Sequence, residues 1–231
     1  MTRPTVLITG GSGGIGGALA QGLAARGYTP IIGFAGNTAA AQKSAARTGG
    51  HAMALDLTEH SHIDDAVATL KTGVLEAGPL AGVVMAASPR PQVLPFTKTS
   101  PEDMALQWQV NVAGHQRLLA GLIKQCLRQQ KKGTAVAVLT AAMGLGGRPA
   151  APNMAAYIVA KHGLAGVLAA AAADYPWLTT AAVSPSFTET EMLKIFDPRF
   201  LEMMRAAEPN GRFATASEVA KDILAHFEDL S

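Results

Sequence analysis

Tyr157 and Lys161 stand four residues apart in Tyr157-Ile158-Val159-Ala160-Lys161, a segment of helical pattern. Positions i and i+4 of a helix share one face, so a phenol and an ammonium at this spacing are neighbours. A nearby ammonium favours the phenolate. A tyrosine acidified in this way can donate a proton to a carbonyl oxygen, or accept one from an alcohol, near neutral pH. The same two residues also occur on ordinary amphipathic helices with snorkelling side chains. What separates the two readings is what the rest of the chain brings near them.

The N-terminus supplies a nucleotide-binding pattern. Thr5-Val6-Leu7-Ile8 is a β-branched apolar run and reads as a buried strand. Thr9-Gly10-Gly11-Ser12-Gly13-Gly14-Ile15-Gly16 follows, and then a helical pattern with Leu19, Ala20 and Leu23 that ends near Arg26-Gly27. Glycines let the backbone turn sharply and approach a pyrophosphate, while a helix start offers free N–H groups and a positive dipole end. The spacing is Thr-Gly-x-x-x-Gly-Ile-Gly rather than the more general G-x-G-x-x-G. The second strand is expected over Thr29 to Phe34, with Pro30 at its entry. An acid at its end would bond the ribose 2′-hydroxyl of NAD, and an arginine would suit the 2′-phosphate of NADP. Gly33-Phe34-Ala35-Gly36-Asn37-Thr38 holds neither. A phosphate is then not repelled, and Asn37, Thr38 and backbone amides are available to it. NADP is therefore expected, with NAD as the alternative; Asn37 and Thr38 also suit a turn and a helix cap.

Beyond this point the chain alternates strand and helix. An alanine-rich helix over Thr38 to Arg47 leads to a strand over His51 to Leu55 and to Asp56-Leu57-Thr58, where Asp56 suits either an adenine amino group or a helix cap. A helix over Ser61 to Ala77 precedes a strand over Leu80 to Ala87, whose small residues Ala86-Ala87-Ser88 would admit a ribose. Ser100, Pro101, Glu102 and Asp103 open a long helix to about Gln130 that carries Asn111, an amide amid apolar neighbours that needs a partner. A strand over Thr134 to Leu139, a loop over Thr140 to Ala151, the helix of Tyr157 and Lys161, and a strand over Leu178 to Val183 follow. A lid-like segment around residues 186–205 and a final helix over Ala216 to Leu230, capped by Thr215 or Ser217, complete the chain. This order implies one Rossmann-like domain over residues 1–231: an α/β, doubly wound parallel sheet of about six strands with helices on both faces. Ligands collect at the carboxyl ends of such strands, and Gly10, Asp56, Ala87, Thr140 and Pro185 each follow one.

Composition agrees with a globular protein. The 231 residues are 48% apolar and 16% charged, with a formal net charge of +2 and no basic block, which argues against nucleic acid as a partner. Cys126 is single, so no internal disulfide forms, and its helical setting suits a small buried hydrophobe. His51, His60 and His62 lack a ligand pattern, so no metal is expected. No apolar run reaches spanning length without a glycine or polar break, and the first residues do not read as a signal peptide, so a cytoplasmic protein without membrane contact is expected.

The ordered set Thr9-Gly10-x-x-x-Gly14-Ile15-Gly16, Asp56, Asn111, Tyr157-x-x-x-Lys161 and Pro185 to Thr190 resembles the short-chain dehydrogenase/reductase family over the whole chain, most of all its 3-oxoacyl-carrier-protein reductases. The resemblance implies hydride transfer between NADP(H) and a small or carrier-protein-bound carbonyl substrate. It makes Tyr157 the acid/base, Lys161 the residue that lowers its pKa and holds the nicotinamide ribose, and Asn111 the support of a proton-relay water. It assigns Gly10, Ser12, Gly14, Ile15 and Gly16 to pyrophosphate and adenosine ribose, Asp56 and Leu57 to adenine, Ala87 to a ribose, Thr188 and Thr190 to the carboxamide or pyrophosphate, and Pro185 to the cofactor site. Four departures stand out. The family's active-site serine is replaced by alanine or glycine in Leu139-Thr140-Ala141-Ala142-Met143-Gly144, which leaves Thr140 as the nearby hydroxyl. Asn-Asn-Ala-Gly after the fourth strand is Met85-Ala86-Ala87-Ser88, which weakens support for the central strands. Gly13 stands where many NADP-using relatives have a basic residue. No seventh strand is legible, so a homodimer through the helices around Asn111 and Ala169 is expected, with a homotetramer as the alternative. Two other functions remain open: a catalytically weak nucleotide-binding or scaffolding homologue, and an NAD-dependent alcohol dehydrogenase. Phe187 to Arg205, with Met192, Leu193, Ile195, Phe196, Phe200, Met203 and Met204, reads as an apolar substrate wall or as an ordinary amphipathic helix.

Overall fold

The computed structural model describes residues 2–72, 77–144, 147, 149–208 and 210–231. Strand β1 (Thr5–Thr9) is buried along its whole length, as a central strand covered on both faces must be. β2 (Thr29–Phe34), β3 (His51–Ala54), β4 (Leu80–Met85), β5 (Gly133–Val138) and β6 (Leu178–Val183) complete a parallel sheet in the order β3-β2-β1-β4-β5-β6. The six strands and their direction match the sequence expectation. Alternate side chains feed two separate cores. Leu7, Ile31, Val83 and Ala135 face one, Val6, Ile8, Ile32, Val84 and Val136 the other.

Helices α1 (Gly14–Ala25), α2 (Thr38–Thr48) and α8 (Ala216–Leu224) are tied to the second core. Helix α3 (His60–Thr72), the segment from α4 (Pro101–Trp108) through α5 (His115–Leu122), and α6 (Ala155–Asp174) cover the first. The caps follow local chemistry. Asn37 accepts from the Ala40 amide at the start of α2, and Ser100 with Asp103 forms a reciprocal capping box on α4. Thr215, not Ser217, caps α8 with Glu218. Residues 73–76 of the expected third helix, and residues 145, 146 and 148 of the expected loop, lie outside the described residues.

Three expectations change. The long helix after Ser100 is interrupted by π-helical turns at Gln109–Gly114 and Ile123–Leu127. The first lies where α6 packs closely: a Cβ on Gly163 would come within 2.6 Å of Val112 Cγ2. The final helix ends at Leu224 rather than Leu230, because Arg26 Nη1 donates to the carbonyls of Leu224 and Phe227 and ends the ladder there. The lid segment contains a strand, β7 (Thr188–Glu189), paired in parallel with β8 (Ala214–Thr215), and a helix, α7 (Pro198–Ala207).

Candidate active site

The cradle is built by close backbone approach. Gly10, at φ +65°, closes the turn after β1, and a Cβ there would lie 2.8 Å from the Cα of Ala87. Gly16 packs on Gly11, where a Cβ would come within 2.6 Å of Cα. The Gly11 amide donates to the Gly33 carbonyl at 2.9 Å, which joins the turn to the end of β2. Helix α1 starts at Gly13 with no side-chain cap and no acid in its first turn. Its leading amides, from Gly14, Ile15 and Gly16, are therefore left for a ligand, as an anion site at a helix start requires. Thr190 reaches over this start: its Cγ2 is 2.9 Å from where a Cβ on Gly14 would be.

The other sequence-predicted residues take their places around that turn. Ala87 follows β4, and its amide and that of Ala86 donate to Thr9 Oγ1, both at 3.0 Å. This junction of β1 and β4 is thus held from β1, although the family's asparagines are absent. Asp56 follows β3 and accepts from the amide and hydroxyl of Thr58, at 2.9 and 2.7 Å, so it stabilises its own turn. Leu57 beside it is buried. Asn37 serves as the cap of α2. Pro185 follows β6, and its carbonyl accepts from Ala141. Thr188 is buried and donates to Ser186 O at 3.1 Å. Ser12 borders two cavities on the flanks of α1. The first, of about 550 Å³, runs toward Ser217 and Lys221 of α8. The second, of about 200 Å³, lies between α1 and α2 and is bordered by Lys43 and Arg47. Neither is lined by Tyr157, so they flank the nucleotide turn rather than the reacting end.

Tyr157 and Lys161 sit on the buried face of α6, 8% and 2% exposed. Lys161 Nζ lies 5.6 Å from the centre of the Tyr157 ring and donates to the Val138 carbonyl at 2.8 Å. Here the electrostatic expectation needs correction. Burial raises the Tyr157 phenol above its usual value, and the opposing influence is the Thr140 side chain beside it, not the ammonium. Lys161 is itself desolvated, which lowers its pKa to about 7. Enclosure penalises both charged forms at once. Thr140 follows β5, accepts from the Ala142 amide at 3.2 Å, and is the hydroxyl that reaches the phenol.

Asn111 lies in the first π-helical turn, completely buried. Its Nδ2 donates to Gln107 O and Oε1, at 3.1 and 3.0 Å. Its Oδ1 is the one buried side-chain oxygen or nitrogen among the described residues without a partner. The sequence reading missed His115 and Gln107, which bond to Asn111. The signal was present: His115 follows Asn111 by one helical repeat, so it shares that buried face. Cys126 is half-buried, and burial raises its thiol, which leaves it an unreactive packing residue. Among the described residues no group of three His, Cys, Asp or Glu side chains gathers as a metal site. Helix α6 has a mean hydropathy of 1.4 and the length to cross a membrane. Its Leu164 and Leu168, however, belong to the core against the sheet.

A family model described as Enoyl-(Acyl carrier protein) reductase matches residues 10–231. The 3-oxoacyl-[acyl-carrier-protein] reductase of Bos taurus is 29% identical over 218 residues, covering 93% of this chain and 86% of that protein. Among solved structures, an NAD+-bound xylitol dehydrogenase superposes with a TM-score of 0.84 at 24% identity, covering 98% of this chain and 92% of the other. An actinorhodin polyketide ketoreductase with NADPH gives 0.85 at 21%, covering 98% and 90%.

Proposed function

This chain belongs to the short-chain dehydrogenase/reductase family and is an NAD(P)-dependent oxidoreductase; from that premise we propose that it uses NADPH to reduce the ketone of a 3-oxoacyl thioester or a similar carbonyl compound. The observation that carries this reading is the buried pair of Tyr157 and Lys161 on α6, with Lys161 Nζ 5.6 Å from the centre of the phenol ring. A phenol in that place can give its proton to a carbonyl oxygen. The reductase direction is supported by the likeness to the cattle 3-oxoacyl-[acyl-carrier-protein] reductase.

The uncapped start of α1 and the glycine turn suit the pyrophosphate, and the cofactor supplies the hydride when bound. The chain's own residues do the rest. Tyr157 donates its proton to the carbonyl oxygen. Thr140, which lowers the phenol's pKa, occupies the role of the family's missing serine and favours proton release. Lys161, held by the Val138 carbonyl, places its amine near the ring and, while protonated, favours the forming phenolate. Asn111 offers the unpartnered Oδ1 to a relay water. Lys43 and Arg47, which border the cavity beside Ser12, support the NADPH reading, since ammonium and guanidinium groups suit a 2′-phosphate.

An acyl substrate is supported by the aromatic cluster of Phe187, Phe196 and Phe200 in the lid segment, with ring centres 5.5 to 6.0 Å apart. The cattle relative, a 3-oxoacyl-[acyl-carrier-protein] reductase, points the same way. Trp108 and Leu106 of α4 and Val159 of α6 are about half exposed, an apolar face that supports a homodimer through these helices. The deciding experiment is NADPH oxidation with an acetoacetyl thioester and a panel of ketones. Tyr157→Phe is expected to abolish turnover while retaining NADPH binding; equal turnover in that variant would remove the assigned role.

A further inference from the structure

His115 is completely buried, yet both of its ring nitrogens are engaged. Nδ1 lies 3.2 Å from the backbone oxygen of Asn111. A carbonyl only accepts, so Nδ1 carries the proton. Nε2 then holds the lone pair and accepts the Thr9 hydroxyl at 2.9 Å. The hydroxyl's other acceptor, Val84 O, is more distant at 3.4 Å. Thr9 Oγ1 in turn accepts from the amides of Ala86 and Ala87. The protons therefore run in one direction, from the Ala86 and Ala87 amides through Thr9 and His115 to Asn111 O.

Both ends of this chain of bonds are working parts of the site. At one end, Ala87 presses against Gly10, so the amides that Thr9 holds set where the glycine turn stands. At the other end lies a π-helical turn, a device that recurs at functional sites. Within it the His115 backbone amide bonds to Val112 O instead of Asn111 O. The imidazole reaches back to the Asn111 carbonyl. That carbonyl belongs to the same residue whose Oδ1 is left unpartnered.

We propose that His115 is a positioning residue, whose ring clamps the Asn111 turn to the Thr9–Ala87 junction and so keeps the cofactor cradle and the relay amide at one spacing. The inference rests on the reading that the glycine turn holds NAD(P) and that Asn111 serves the relay. The ring suits this task because it stays neutral. Desolvation, and secondly the charge of Lys161, lower its pKa to about 3, so its single proton and single lone pair persist across the working range.

Three full-length variants separate the two contacts. In His115→Asn the amide nitrogen stands near the place of Nδ1, so the bond to Asn111 O is kept and the acceptor for Thr9 is lost. In His115→Gln the amide oxygen reaches the place of Nε2, so the Thr9 contact is kept and the donor to Asn111 is lost. His115→Phe removes both at similar size. Thermal midpoints are recorded first, then NADPH Kd by fluorescence titration, and kcat at saturating cofactor. The expected pattern is about tenfold weaker NADPH binding with kcat retained for His115→Asn, and about a tenfold lower kcat with Kd retained for His115→Gln, each the loss of one hydrogen bond. If His115→Phe does not fold, the Asn and Gln variants carry the test by themselves. Equal losses in both quantities for the Asn and Gln variants, or parental values in them, overturn the proposal. Failure of the parent protein to bind any dinucleotide overturns instead the cofactor reading on which it rests, and the proposal with it.

Discussion

Replacing Lys161 with methionine keeps an apolar stem in the pocket and removes the titrating group. Lys161 is 2% exposed, and its described hydrogen bond is to the Val138 carbonyl. Desolvation lowers its pKa from 10.5 to about 7. The native side chain therefore loses its proton above about pH 7, while in the unfolded chain it keeps the proton to about pH 10.5. Between these values the unfolded state binds one more proton, so unfolding free energy rises with pH, by about 1.4 kcal/mol per unit. Over the whole window this amounts to roughly 5 kcal/mol, an upper figure because the unfolded reference also varies. Below pH 7 both states carry the charge, and its burial cost is present in full. The assay is urea unfolding of parent and Lys161→Met, without cofactor, from about pH 6 to about pH 9. His115, the buried group that feels the Lys161 charge, is held low chiefly by desolvation and stays neutral over this range, so the difference between the two curves reports Lys161. The variant is expected to be favoured over the parent by a constant margin below about pH 7. That margin should shrink by about 1.4 kcal/mol per unit above it, roughly 3 kcal/mol by about pH 9. Parallel curves across the range would refute the argument that Lys161 is held in a desolvated site.

Thr140→Val removes the hydroxyl beside the phenol and keeps the shape; kcat is expected to fall by about 10- to 100-fold with NADPH binding unchanged, and an unaltered kcat would show that this hydroxyl has no part in the reaction. Combining Lys43→Ala with Arg47→Ala should weaken NADPH binding by about 10- to 100-fold and leave NADH binding as it was; an equal loss for the two dinucleotides would place the 2′-phosphate elsewhere. Trp108→Glu puts a charge on the exposed apolar face of α4 and should shift a dimer to monomer in sedimentation velocity. A parent protein that sediments as a monomer at every concentration would contradict an interface there.

Much of the scaffold was legible in the chain because its causes are local. A strand covered on both faces reads as a short apolar run, and Thr29–Phe34 has its expected ends, as does the edge strand Leu178–Val183. Ser100 and Thr215 announce helix starts because a cap is a bond between residues three apart. Tyr157 and Lys161 share a face by the helical repeat alone. Other features depended on contacts between segments far apart in sequence. The expected continuous helix takes a π-helical turn at Asn111 where Gly114 meets Leu57 and Gly163 meets Val112, and no window of neighbouring residues contains those pairs. Spacing placed the ammonium beside the phenol, yet only the surrounding protein decided that enclosure, acting on both groups, outweighs their attraction. His115 gained its place in the same way: Thr9 and Asn111 reach it from two different elements, and only the folded chain brings β1 and the long helix together. Sequence determined which groups face inward, because periodicity is a property of the backbone. Tertiary structure decided what each group meets there and how much water it keeps, because desolvation and hydrogen-bond partners are properties of the assembled interior.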